Sequence, residues 1–137
     1  MKTQLKSLSD NEFISQFENQ TLDKIHFDHI GHLRLSWLYL ESNDVEQAIN
    51  KISEGINVYA TSLGAKDKFN LTITDAIVRI MAKKINLMPK RHWQLFLRDN
   101  SDLVDDCFSV LCQYYSKHIL NSDLARTSPI SPDIRPI

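Results

Sequence analysis

Phe27-Asp28-His29-Ile30-Gly31-His32-Leu33-Arg34-Leu35-Ser36-Trp37-Leu38-Tyr39-Leu40 reads as a helix that is apolar around most of its circumference. Asp28 caps it, which puts His29 at the first helical position. With His29 at zero and about 100° per residue, Arg34 and Glu41 fall near 140° and 120°. They are its only charges after Asp28, so that strip is expected to face water. On the other side, between about 280° and 0°, lie His29, His32, Ser36 and Tyr39. Four polar side chains on a face turned from solvent need partners inside the protein. An internal polar site is the expectation.

The rest of the chain reads as further helices. Ser9-Asp10-Asn11-Glu12 is a capping box that opens a short helix carrying Phe13, Ile14 and Phe17. Residues 19–26 are polar and form a connector. Ser42-Asn43-Asp44 ends the central helix and caps the next. Val45, Ala48, Ile49, Ile52, Ile56, Tyr59, Ala60 and Leu63 recur at spacings of three and four, and Gly64 sits where a glycine C-cap belongs. A fourth helix is expected from about Asn70 to Asn86, with Ile73, Ile77, Ile80 and Met81 on one face, before the break at Pro89. On the same wheel Asn70 and Thr74 lie on that apolar face, while Thr72, Asp75, Arg79 and Lys83 point outward. Residues 91–98 predict a short helix anchored by Trp93, Phe96 and Leu97. Ser101 then caps a long helix whose buried face is Leu103, Val104, Cys107, Phe108, Val110, Leu111, Tyr114 and Tyr115. Asp102, Asp105 and Asp106 sit on its other face, near the N-terminus, where they complement the dipole. Residues 122–126 add a turn, and Pro129, Pro132 and Pro136 mark an extended tail. The expected fold class is all-α: one domain, 1–137, a compact bundle of about five or six helices, with a Pro-rich tail from about residue 127.

Composition narrows the function. The 137 residues are 42% apolar and 24% charged, which suits a globular chain with a real core. A net charge of −1 offers no basic field for nucleic acid. No apolar run approaches a membrane span, and residues 1–6 lack the apolar core of a signal peptide. A cytoplasmic location is the default expectation. Two cysteines, Cys107 and Cys112, make no disulfide framework and are expected to be free, Cys107 facing the core.

His29, His32, Ser36 and Tyr39 are therefore expected to face Asn70 and Thr74 across one ligand-binding pocket. The sharp form of this reading is a metal site. His29 and His32, three apart on a helix, can converge on one ion, and the dipole biases His29 toward the neutral imidazole that ligates. One divalent transition metal is the candidate cofactor. A catalytic ion normally takes a third protein ligand, and the wheel sends the aspartates outward. The competing reading is a hydrogen-bonded layer that only sets helix register. His92 and His118 read as solvated. Lys66 and Lys68 precede the fourth helix, whose N-terminus can hold an anion, although a wet loop is the simpler reading.

The chain resembles a family of small uncharacterised bacterial helical proteins. Their signature is Phe-x-His-x-x-His-Leu-Arg-x-x-Trp followed by aromatic-(His/Asn)-x-Thr-(Leu/Ile)-Thr. Here the two segments are Phe27 to Trp37 and Phe69-Asn70-Leu71-Thr72-Ile73-Thr74. Tyr115-Ser116, Ala125-Arg126 and Pro132-Asp133 resemble its C-terminal pattern. The resemblance implies that many relatives carry His where this chain has Asn70, hence a three-histidine site in those relatives and a weaker metal site here. The leading expectation is a small-molecule-binding protein or enzyme built on the histidine pair. The alternative is a structural or interaction protein whose polar layer sets packing.

Overall fold

The computed structural model describes residues 7–137; the segment 1–6, read above for a signal peptide, lies outside them. The described residues form nine α-helices and no strand: α1 (Asp10–Glu18), α2 (His29–Ser42), α3 (Val45–Ser62), α4 (Leu71–Asn86), α5 (Trp93–Asp99), α6 (Ser101–Asp105), α7 (Cys107–Leu111), α8 (Lys117–Leu120) and α9 (Asp123–Thr127). Single 3-10 turns at Lys24–His26 and Lys66–Lys68 lead into α2 and α4. Five helices have seven residues or more.

Local chemistry sets most of their ends. In the capping box of α1, the Glu12 N–H donates to Ser9 Oγ at 3.1 Å and the Ser9 N–H to Glu12 Oε1 at 3.0 Å. Asp28 caps α2 by accepting from the Gly31 N–H at 2.8 Å. Asp44 and Gln47 form a second capping box at α3. Gly64, at φ +69°, closes α3 in the left-handed conformation that glycine adopts without a steric penalty. Gln20 occupies the equivalent position after α1 at φ +61°. There the Thr21 N–H donates to Gln16 O at 2.8 Å and the Gln20 N–H to Phe17 O at 3.2 Å, the paired bonds of a Schellman motif. A residue with a Cβ is disfavoured at that angle, so Gln20→Gly is expected to stabilise the protein by about 1 kcal/mol. An unchanged urea midpoint would contradict this.

α2 runs between two apolar cores. Leu33 and Trp37 enter one, shared with Ile80 and Met81 of α4, Phe96 of α5 and Leu111 of α7. Leu35 and Tyr39, about 200° away on the wheel, enter the other, with Phe13 and Phe17 of α1 and Ile52 and Tyr59 of α3. α4 packs on α2, α3, α7 and α9. Each of these buried aliphatic or aromatic side chains contributes up to roughly 1.5–3 kcal/mol, which outweighs any single surface ion pair at about 0–1 kcal/mol. The two cores, and not the charges, hold the helices together.

Three expectations from the helical wheel change. The Arg34 strip does not simply face water, because α1 lies over it. Arg34 donates to Leu8 O and Asp10 Oδ1, both at 2.8 Å, and its guanidinium sits 4.7 Å from the centre of the Phe13 ring. Thr72, placed outward by the wheel, is fully buried. Its hydroxyl donates to Ser128 O at 2.7 Å and accepts from the Ile130 N–H at 3.1 Å, so the C-terminal segment docks on that side of α4. The long helix expected from Ser101 is broken at Asp106, whose backbone leaves the helical region at φ −146°, ψ 52°. Its apolar positions spread over too wide an arc for one straight helix to bury, and Asp105, Asp106, Cys107 and Ser109 are weak helix formers. The break brings Leu103, Val110, Leu111 and Tyr115 inward and leaves Phe108 40% exposed.

The two thiols are free and half-buried. Burial, then Asp102 and Asp106, push the Cys107 thiol up to about 11. Thiolate is the reactive form, so native Cys107 is expected to alkylate at least about tenfold more slowly than in the unfolded chain and more slowly than native Cys112. Equal, rapid labelling of both would contradict the packing of α7.

Candidate functional site

The segments 27–37 and 69–74 meet at one cleft of about 470 Å³. Its walls come from the two 3-10 turns and from α2, α3 and α4. Phe27, Ile56, Tyr59, Phe69, Ile73 and Ile77 make it apolar. His32, Asn70 and Thr74 bring the polar groups, and Lys24 and Lys68 stand at its edge with exposed side chains.

Glycine makes this arrangement possible. A Cβ on Gly31 would lie 2.2 Å from the carbonyl oxygen of His26, so only glycine lets the 3-10 turn press against the first turn of α2. That contact sets Phe27 on the His32 ring, with centroids 4.1 Å apart and planes 30° apart. Phe27 in turn meets Tyr59 edge-on at 5.0 Å. The Tyr59 hydroxyl, buried with the rest of the side chain, donates to Leu22 O at 2.7 Å, which offsets its desolvation.

Of the six polar residues expected to share a pocket, His32, Asn70 and Thr74 line the cleft, while His29, Ser36 and Tyr39 do not. His29 Nε2–H donates to Leu103 O at 2.9 Å. The Ser36 hydroxyl folds back to His32 O at 3.1 Å. Tyr39 points the other way, into the α1 core, where its hydroxyl donates to Glu18 Oε2 at 2.6 Å. Burial, then Glu18, raise that phenol's pKa. Asn70 lines the cleft but is spent on structure. Its Oδ1 accepts from the Ile73 N–H at 3.0 Å, capping α4, and its Nδ2 donates to Leu120 O at 3.2 Å. The N-terminus of α4, a candidate anion holder in the sequence, is thus closed by its own cap.

His32 and Thr74 differ from the others. Among the described residues neither the His32 ring nitrogens nor the Thr74 hydroxyl has a hydrogen-bond partner, and both side chains border the cleft. Burial, and then the neighbouring His29, hold the His32 imidazole neutral down to about 4, against a smaller opposing pull from Asp28. A neutral imidazole offers one donor and one acceptor. The cleft is therefore bordered by two polar side chains not committed to protein partners, His32 and Thr74, inside an aromatic and aliphatic wall.

Among the described residues no three His, Cys, Asp or Glu side chains gather to hold an ion, and of the histidine pair only His32 lines the cleft while His29 turns to Leu103. Sequence reasoning passed over Phe27, Tyr59 and Phe69 as wall residues and treated Lys24 and Lys68 as solvated connector. The one available signal was the aromatic residue ahead of each polar segment, Phe27 before His29 and Phe69 before Asn70.

The architecture and cleft define, among the described residues, a small all-α bundle with an apolar, histidine-bearing cavity walled by α2, α3 and α4. Compared with family models, with curated proteins and with solved structures, the chain matches none.

Proposed function

We propose that this chain is a cytoplasmic small-molecule-binding protein whose ligand enters the cleft at His32. The observation that carries the reading is the unpartnered, neutral His32 imidazole bordering a 470 Å³ apolar cavity. Binding sites are typically apolar concavities with a few convergent polar groups. General acid–base catalysis works best with a group that titrates near the operating pH. A histidine that stays neutral to about 4 suits hydrogen-bond recognition better than proton transfer at neutral pH. Free thiols accord with a reducing compartment, and among the described residues no helix is long and apolar enough to cross a membrane.

The packing alternative has its own support in three side chains. His29, Tyr39 and Asn70 end on partners in other segments, at Leu103, Glu18 and Leu120, while the Ser36 hydroxyl stays within α2. His32 and Thr74 fall outside that network, so the two readings divide the polar residues between them. Thr74→Val tests the division, because it keeps shape and deletes the hydroxyl. The variant is expected to keep or raise the parent's urea midpoint and to weaken binding of indole, followed by amide shifts at Phe27, His32 and Phe69. A drop of about 1–3 kcal/mol, the cost of breaking a buried hydrogen bond, with no localised indole shifts in the parent, would favour packing alone.

A further inference from the structure

The chemistry of the cleft's rim narrows what it takes. None of its wall residues is an aspartate or glutamate, although the chain as a whole carries a net charge of −1. Its two charged groups are the ammoniums of Lys24 and Lys68, one from each 3-10 turn. The neighbouring acids are not among the wall residues, although the charges of Asp23 and Asp28 are felt at Tyr59 and His32. Asp23 turns its carboxylate to the Ile25 N–H at 3.0 Å, capping its own turn. Asp67 borders a different groove, with Thr61 and Arg126. No ion pair among the described residues involves either lysine.

Size and wall chemistry add two limits. A cavity of about 470 Å³ lies toward the small end of ligand sites, which suits one or two fused or linked rings. Phe27, already stacked on the His32 and Phe17 rings, together with Tyr59 and Phe69 makes the wall aromatic, which favours an aromatic body over a sugar-like one.

We propose that the cleft takes a monoanionic one- or two-ring molecule, its ring body against Phe27, Phe69 and Ile77, its acid group at the Lys24 and Lys68 ammoniums, and a polar group reaching the Thr74 hydroxyl. This rests on the reading of the cleft as a binding site and adds the ligand's class. The apolar wall supplies most of the binding energy, and the two ammoniums select the charge. Exposed ammoniums in high dielectric each add little, so together they discriminate by about tenfold rather than by thousands.

Two dyes that share one ring body test it on the full chain. 8-Anilinonaphthalene-1-sulfonate carries the acid group, and N-phenyl-1-naphthylamine is the same body without it. Fluorescence titrations would use the parent, the Lys24→Met/Lys68→Met double variant and Ala60→Trp, which puts a large side chain into the cleft from α3. Should Ala60→Trp melt early, Ala60→Phe takes its place. The expected result is a sulfonate dye bound about tenfold tighter than the neutral one. That gap closes in the double variant, and both dyes are lost in the blocked variant. Equal binding of the two dyes, unchanged by the lysine substitutions but abolished by the block, would overturn the anionic class and leave the site standing. Failure of both dyes to saturate, or full binding in the blocked variant, would overturn the site itself and the ligand class with it.

Discussion

Replacing His32 by Gln is expected to flatten the acid limb of the protein's stability curve by about 3 kcal/mol. The folded state holds His32 neutral to about 4, whereas an unfolded histidine takes up its proton near 6.5. Between those values the unfolded chain binds a proton that the folded chain does not, so stability falls as pH drops from 6.5 through 4. Above 6.5 the imidazole is neutral in both states and costs nothing on this account. Glutamine has no proton to take up, and its variant lacks this component. Urea midpoints at pH 7, 6, 5 and 4 for the two proteins measure it, and carboxylates cancel because both chains share them. Midpoints should nearly coincide at pH 7 and separate toward pH 4. Parallel curves would mean that the His32 ring is solvated and protonates freely in the folded protein.

Phe96→Ala should cost about 3–5 kcal/mol, and should leave the cleft untouched. Phe96 is fully buried. Its ring lies 5.3 Å from that of Trp37 and parallel to that of Trp93 at 6.2 Å, with 8° between the planes. Trp37 is further held by the Arg91 guanidinium, 4.2 Å from its ring centre. Two large indoles locked in this way cannot collapse into the space left by a phenyl ring, so the loss is expected near the upper part of the range. A loss below about 1 kcal/mol would show that α5 is not anchored by this cluster. Because Phe96 does not border the cleft, dye binding by the folded fraction should match the parent.

What could be read from the chain divides by range. The capping box at Ser9, the Asp28 and Asp44 caps and the Gly64 stop are local chemistry, and each appears in the structure where the residues place it. α2 and α4 do pack on each other, as the polar positions on their buried sides led one to expect. Thr72 and Arg34 were misplaced for one reason: a wheel knows a helix's own faces but not what other segments bring to them. The docked C-terminal segment covers Thr72, and α1 covers Arg34. A long guanidinium side chain lies along apolar surface while its charge finds a partner. The break at Asp106 has the same origin, since wrapping around α4 outweighs the continuity of one helix.

In the site, His32 and Thr74 were legible as polar positions on buried faces. His29 and Tyr39 were assigned to the same face within a turn's accuracy, yet their rings diverge. His29 sits at the helix end, where it reaches Leu103, and Tyr39 lies far enough around to meet α1. Lys24, Phe27 and Phe69 lie on short connectors with no periodicity, so only the folded chain brings them to the cleft.

The proposed function requires a small ligand to lie against a neutral His32 ring. Imidazole nitrogen shifts of His32 at pH 6, recorded with and without 8-anilinonaphthalene-1-sulfonate, test it most directly. The expected result is a neutral ring in the free protein, with shifts that move on addition of the dye and saturate with the fluorescence change. A protonated ring at pH 6, or a neutral ring unmoved at saturating dye, would contradict it.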